Sequence, residues 1–142
     1  MAYLAGIVIA LLVSIAASLS GLDRDRAFYP TVLAVVASHY ELFAVMGGST
    51  TALLVESAVM LVFLGATFYG FRRNPWVVVV ALAAHGMLDL VHADLIDNPG
   101  VPSWWPMFCM TYDVTAALYL AWCLGSNKPA IAAHRSREHT AE

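Results

Sequence analysis

Charged residues are scarce in this chain: Asp, Glu, Lys and Arg make up 12% of 142 residues, about half the share usual in soluble domains. Hydrophobic residues fill 61%, and the mean hydropathy is +0.73. A soluble domain of this length is excluded, and the chain reads as a membrane protein. Net charge is -3, with no basic cluster upstream of the C-terminal tail, so a nucleic-acid partner is not expected. Cysteine is limited to Cys109 and Cys123. At 1.5 Å per residue they lie roughly 21 Å apart on one helix, too far for an intrachain disulfide. Each reads as a small apolar packing residue. There is no internal repeat, phosphate loop, cofactor fingerprint or recognisable nucleophile motif.

What the chain does have is five apolar runs, at Tyr3 to Ser20, Tyr29 to Met46, Thr51 to Phe71, Pro75 to Ile96 and Ser103 to Leu124. Each is long enough to cross a hydrocarbon core, which takes about 20 residues. Gly47-Gly48 followed by Ser49 ends one helix and caps the next, and Asn74-Pro75 offers a cap with Pro at the first helical position. Asn98 to Ser103 is the one real loop. Connectors this short predict an all-α, antiparallel five-helix bundle spanning residues 1–126, followed by a polar tail over 127–142.

All seven Lys and Arg fall on one side of such a bundle: Arg24 and Arg26 after span one, Arg72 and Arg73 after span three, and Lys128, Arg135 and Arg137 after span five. The positive-inside rule then places the N-terminus outside and the C-terminus in the cytoplasm, in a multi-pass protein of the cytoplasmic (inner) membrane. Span one has no Lys or Arg ahead of its apolar run, so it reads as an anchor rather than a signal peptide. Its Gly6, Ala10, Ser14 and Ser18 form a small-residue stripe suited to close helix packing, within the bundle or in a homodimer.

Ionisable residues inside these spans carry the functional signal: His39 and Glu41, Glu56, His85, Asp89 and His92, and Asp113. A charge at mid-membrane costs about 3 kcal/mol, so four ionised carboxylates would cost roughly 12 kcal/mol without pairing, protonation or a bound cation. Measured from the outer end of each span, Glu56 lies about 7 Å deep, Glu41 about 8 Å, Asp89 about 10 Å and Asp113 about 14 Å. Similar depth on four helices implies a shared polar cavity, expected to open toward the outside.

Span four is the most specific element. His85, Asp89 and His92 stand at i, i+4 and i+7 on one helical face, so two imidazoles and a carboxylate point into one groove. Three such ligands with an open position suit catalytic zinc, and a His/carboxylate set also suits non-haem iron. The competing reading is a proton-sharing network that holds the bundle together. Glu56 and Asp113, each isolated in an apolar stretch, are the best partners from other helices and candidate general bases. His39 and Glu41 point about 200° apart, so at most one faces the cavity, and Glu41 is favoured for substrate contact. With Glu41 and Asp113 added, the set approaches a dinuclear carboxylate site, of which Asp89-x-x-His92 echoes only half.

At the start of span five, Trp104-Trp105-Pro106 reads as an aromatic belt. Trp104 and Trp105, with Tyr112, are also candidates to line a substrate path. Cys109, Met107 and Met110 are soft donors that would favour copper. Tyr40 reads as a supporting residue.

Asp25-Arg26-Ala27-Phe28-Tyr29-Pro30, the His85-Gly86 to Asp89 to His92 stretch, and Val101-Pro102-Ser103-Trp104-Trp105-Pro106 with Cys109 and Asp113 together resemble a family of small multi-pass bacterial membrane proteins of unknown function. The resemblance spans most of the chain and brings no activity with it. A looser likeness is to membrane hydrolases of the alkaline ceramidase and progestin-receptor type, with intramembrane His, Asp and a Ser-linked zinc site. The chain departs from those in having five spans instead of seven and no paired His-x-x-x-His. That likeness therefore implies no residue map.

These features lead to an expected metal-dependent enzyme, a hydrolase of a lipid or other apolar molecule, with zinc as the favoured divalent metal. In it Glu56 or Asp113 would take a proton from a water whose pKa the metal lowers toward about 7. The alternatives are a proton- or metal-ion-coupled binding or transport protein, and a structural subunit docking through the Gly6 to Ser18 stripe.

Overall fold

The computed structural model describes residues 1–126; the expected polar tail, with Lys128, Arg135 and Arg137, lies outside the described residues. Five helices account for nearly all of it: α1 (Ala2–Ser20), α2 (Phe28–Met46), α3 (Thr50–Arg72), α4 (Trp76–Leu95) and α5 (Trp105–Gly125), with a short 3-10 turn at Leu22–Arg24. All five are long and apolar enough to cross a membrane, and no strand occurs among the described residues. The described residues thus form an all-helical fold with five helices of membrane-spanning length and apolarity.

Helix ends follow the local chemistry of the sequence. Ser49 caps α3, its hydroxyl accepting from the Ala52 N–H at 3.1 Å, after Gly48 has turned the chain with φ +66°. Asn74 Oδ1 accepts from the Trp76 N–H at 3.0 Å, so Pro75 stands just before the helix instead of at its first position. Large apolar side chains such as Leu4, Leu12, Leu61 and Val62 face outward, as lipid contact requires.

Consecutive helices from α2 to α5 pack side by side, but α1 makes its main contact with α5. The expectation of sequential neighbours fails there because the small-residue stripe fits the last helix. A side chain at Gly6 would collide with the Phe108 carbonyl and Thr111. Ala10 and Ser14 are buried on the same face, and Ser18 Oγ lies 2.8 Å from the Tyr119 hydroxyl. The stripe, read from the sequence as packing within the bundle or in a homodimer, meets α5 of its own chain.

α1 and α5 run parallel, as do α2 and α4, while α3 runs opposite to both of its neighbours. The helices therefore have two ends: a loop end, with the Gly47-Gly48 turn and the 96–104 loop, and an arginine end, with Arg24, Arg26, Arg72 and Arg73. Toward the arginine end the core is apolar, built from Leu33 and Val36 of α2, Val78 and Leu82 of α4, and Ala117 and Leu120 of α5. At the loop end the 96–104 loop lies on the α2–α3 turn. A Cβ at Gly100 would fall inside the Phe43 backbone and beside the Gly47 N–H, so only glycine permits this seat.

A candidate metal centre in a closed polar core

Above the apolar core, six polar side chains from four helices come together. Glu56, His85, Asp89, His92 and Asp113 are 0–3% exposed, and Tyr40 is 3% exposed. α4 supplies three of them at helical spacing, as the sequence implies. Gly86 brings α5 against α4, because a side chain there would press on the Met110 carbonyl at 3.0 Å and on Asp113 Cβ at 3.3 Å. That close approach carries Asp113 to His85.

The six divide into two linked groups. In the first, His85 Nδ1 lies 2.7 Å from Asp113 Oδ2 and 3.8 Å from Asp89 Oδ2. One ligand atom from each of His85, Asp89 and Asp113 lies within 4.8 Å of the others, the spacing of a group that could hold a metal ion. The Tyr40 hydroxyl donates to Asp89 Oδ1 at 2.6 Å. Asp89 Oδ2 and Asp113 Oδ1 are buried with no hydrogen-bond partner. A buried carboxylate oxygen without a partner is costly, so both positions call for a proton or a cation.

In the second group, His92 Nε2 lies 2.7 Å from Glu56 Oε1, and the Asn98 side-chain amide donates to the same oxygen at 3.0 Å. Asn98 also donates to the Tyr40 carbonyl at 3.0 Å. The rings of Tyr40 and His92 stack with centroids 3.9 Å apart, so Tyr40 joins the two groups, by stacking on one side and by its hydroxyl on the other. Phe63 closes the α3 side, its ring 4.8 Å from that of His85.

The arrangement differs from the sequence expectation in four places. His92 shares a face with His85 and Asp89, yet Glu56 holds it, and Asp113 takes its place beside them. Neither His39 nor Glu41 enters the core. Tyr40 does, because at about 100° per residue, aiming it at α4 turns both neighbours aside. His39 Nδ1 instead lies 2.8 Å from the Val35 carbonyl, and Glu41 accepts from the Ser57 hydroxyl at 2.6 Å in the α2–α3 seam. Finally, the cavity expected to open outward is closed, because Asn98 and the loop cover it.

The remaining candidates lie around this core. Trp104 is exposed, and Trp105 is half-buried, with ring centroids 4.9 Å from Phe43 and 5.1 Å from His39. Tyr112 is half-buried and lines a groove with Val32 and Val36 of α2. Cys109 is buried but is not part of the three-residue group. Asn98 is the one functional candidate that sequence reasoning passed over: between Asp97 and Pro99-Gly100 it has the composition of a turn, and nothing local signals a buried amide.

Comparison with family models, with curated proteins and with solved structures found no match. The reading of this site therefore rests on its own geometry.

Proposed function

We propose that the protein is a membrane-embedded, metal-dependent hydrolase acting on a lipid or other apolar substrate, with His85, Asp89 and Asp113 as metal ligands. The observation that carries this reading is the pair of partnerless buried oxygens, Asp89 Oδ2 and Asp113 Oδ1, beside the His85 nitrogen. Such a set of one nitrogen and carboxylate oxygens suits zinc first and iron second, whereas the Cys109 thiol, a soft donor that copper prefers, stays outside it. The ion would take the place of the proton that now lies between His85 and Asp113. Its chemistry is to lower the pKa of a water toward about 7. In this reading Glu56, whose Oε1 meets His92 and the Asn98 amide, would serve as the general base for that water.

The orientation that accompanies this reading has the N-terminus outside and the loop end in the outer half of a bacterial cytoplasmic membrane, from the one-sided placement of all seven Lys and Arg. Incubation of the purified, zinc-loaded protein with a total lipid extract, followed by mass spectrometry of the products, tests the activity. Time-dependent hydrolysis that Glu56→Gln abolishes supports the reading; an unchanged lipid profile contradicts it.

A second reading is favoured by the enclosure of the site. Glu56 with His92, and Tyr40 with Asp89, His85 and Asp113, form two polar groups joined by the stacking of Tyr40 on His92 and no more than 3% exposed, an enclosed set suited to loading a proton or an ion inside the membrane. Ion or proton flux in sealed proteoliposomes, lost in Asp113→Asn, is the result that reading expects.

A further inference from the structure

Glu41 is left over from the polar core, and a carboxylate in a membrane span needs a reason. It stands in the α2–α3 seam, half-buried, where one oxygen accepts from Ser57. Among the described residues no second hydrogen bond reaches the carboxylate, and no Lys, Arg or His pairs with it. Below it, toward the arginine end, the two helices border a groove of about 380 Å³ lined by Ala34, Ser38, Leu64, Thr67 and Phe68 among others. Ser38 precedes Glu41 by one turn, and Ser57 shares a helical face with Leu64, seven residues on. Groove and carboxylate are therefore parts of one continuous surface.

The walls of that groove are apolar in effect. Ser38 donates to the Val35 carbonyl at 2.7 Å and Thr67 to the Phe63 carbonyl at 2.9 Å, so both hydroxyls are satisfied by their own helices and present methyl and methylene surface. The result is an apolar trough about as long as three turns of helix, ending at one acceptor with unmet capacity. Charge complementarity decides the head group: an ammonium would give Glu41 the donors and the charge it lacks. A phosphate beside that ammonium is disfavoured, because neither connector at the loop end contains a Lys or Arg to meet it.

From this juxtaposition we propose that the α2–α3 seam binds a phosphate-free cationic amphiphile, a long-chain primary amine, with its chain in the groove and its ammonium on Glu41 and Ser57. The site stands apart from the metal centre and does not depend on it. The probe is a photoreactive long-chain alkylamine, titrated onto the purified protein in phosphatidylcholine nanodiscs, with the matched alkyl carboxylic acid as its control. Saturable labelling of α2 and α3 by the amine alone is expected. Glu41→Gln and Ser57→Ala should weaken it, the first by roughly tenfold or more, as loss of a charge-assisted hydrogen bond implies. Ala34→Trp, which fills the groove and leaves Glu41 in place, should abolish it. Labelling that never saturates, that is equal for amine and acid, or that survives both Glu41→Gln and Ala34→Trp means ordinary lipid contact and overturns the proposal. Retention of the wild-type metal content by Glu41→Gln shows the variant folded, and separates failure here from failure of the metal reading.

Discussion

Tyr40 gives its hydroxyl proton to Asp89 Oδ1 at 2.6 Å, and that bond leaves Asp89 Oδ2 as the oxygen nearest His85, at 3.8 Å. A phenol on α2 thus sets which carboxylate oxygen on α4 is available to an ion. Groups that orient a ligand in this way typically contribute 10- to 100-fold in metal affinity. Tyr40→Phe keeps the ring stacked on His92 and removes only the donor. Zinc affinity measured by chelator competition should fall by about that factor, and the metal-free protein should also lose about 1–3 kcal/mol of stability, because Asp89 Oδ1 is then buried without its donor. Equal affinity in the two proteins would show that Tyr40 only packs.

Asn98 fastens the 96–104 loop over the core through two hydrogen bonds, to Glu56 and to the Tyr40 carbonyl. Losing them in Asn98→Ala should make local opening easier by about 1–2 kcal/mol, or roughly tenfold in population. Cys109, buried beside the core, is the reporter. Its reaction with a small membrane-impermeant thiol reagent should accelerate by that factor, while Cys123, near the other end of α5, keeps its rate. Unchanged Cys109 reactivity would mean that the loop is not the barrier.

Two glycines make a paired stability test. Gly100→Ala forces the loop off the Phe43 backbone and should cost about 1–3 kcal/mol, lowering the melting temperature. At Gly65, in the interior of α3, an added Cβ meets nothing within 4 Å. There Ala should stabilise by about 0.5–1 kcal/mol. Thermal unfolding in detergent reads both, and the same sign for the two would contradict the packing described.

Reporter fusions test the orientation. Fusions at Gly48 should report the outside, and fusions at Arg73 or after Ser126 the cytoplasm. A cytoplasmic signal at Gly48 would reverse it.

The helices were legible in the sequence because each is written in a local code. Apolar runs set their length, and Ser49, Asn74-Pro75 and Gly47-Gly48 punctuate them. The site was legible only as far as one helix extends. His85 and Asp89 share a face by spacing alone, whereas the partnering of His85 with Asp113, and of His92 with Glu56, depends on how far α3 and α5 are rotated and shifted against α4. Nothing within α4 encodes that. Tyr40 was read only as a supporting residue because an aromatic residue in an apolar span requires no further explanation until its hydroxyl is found to have a partner. Glu41 was drawn into the core for the opposite reason, since its charge demanded a partner and Ser57 is not a conspicuous one. The contact of α1 with α5 was likewise hidden, because a small-residue stripe specifies a close neighbour without naming it.

Metal content is the most direct test of the central claim. The protein should be purified without chelator and analysed by elemental mass spectrometry alongside His85→Ala, Asp113→Asn and Glu41→Gln. The account predicts about one zinc or iron per chain in the wild type and in Glu41→Gln, and loss of that metal from the other two while they remain folded by circular dichroism. A folded wild-type protein that carries no metal, and takes up none when zinc or iron is supplied, would contradict it.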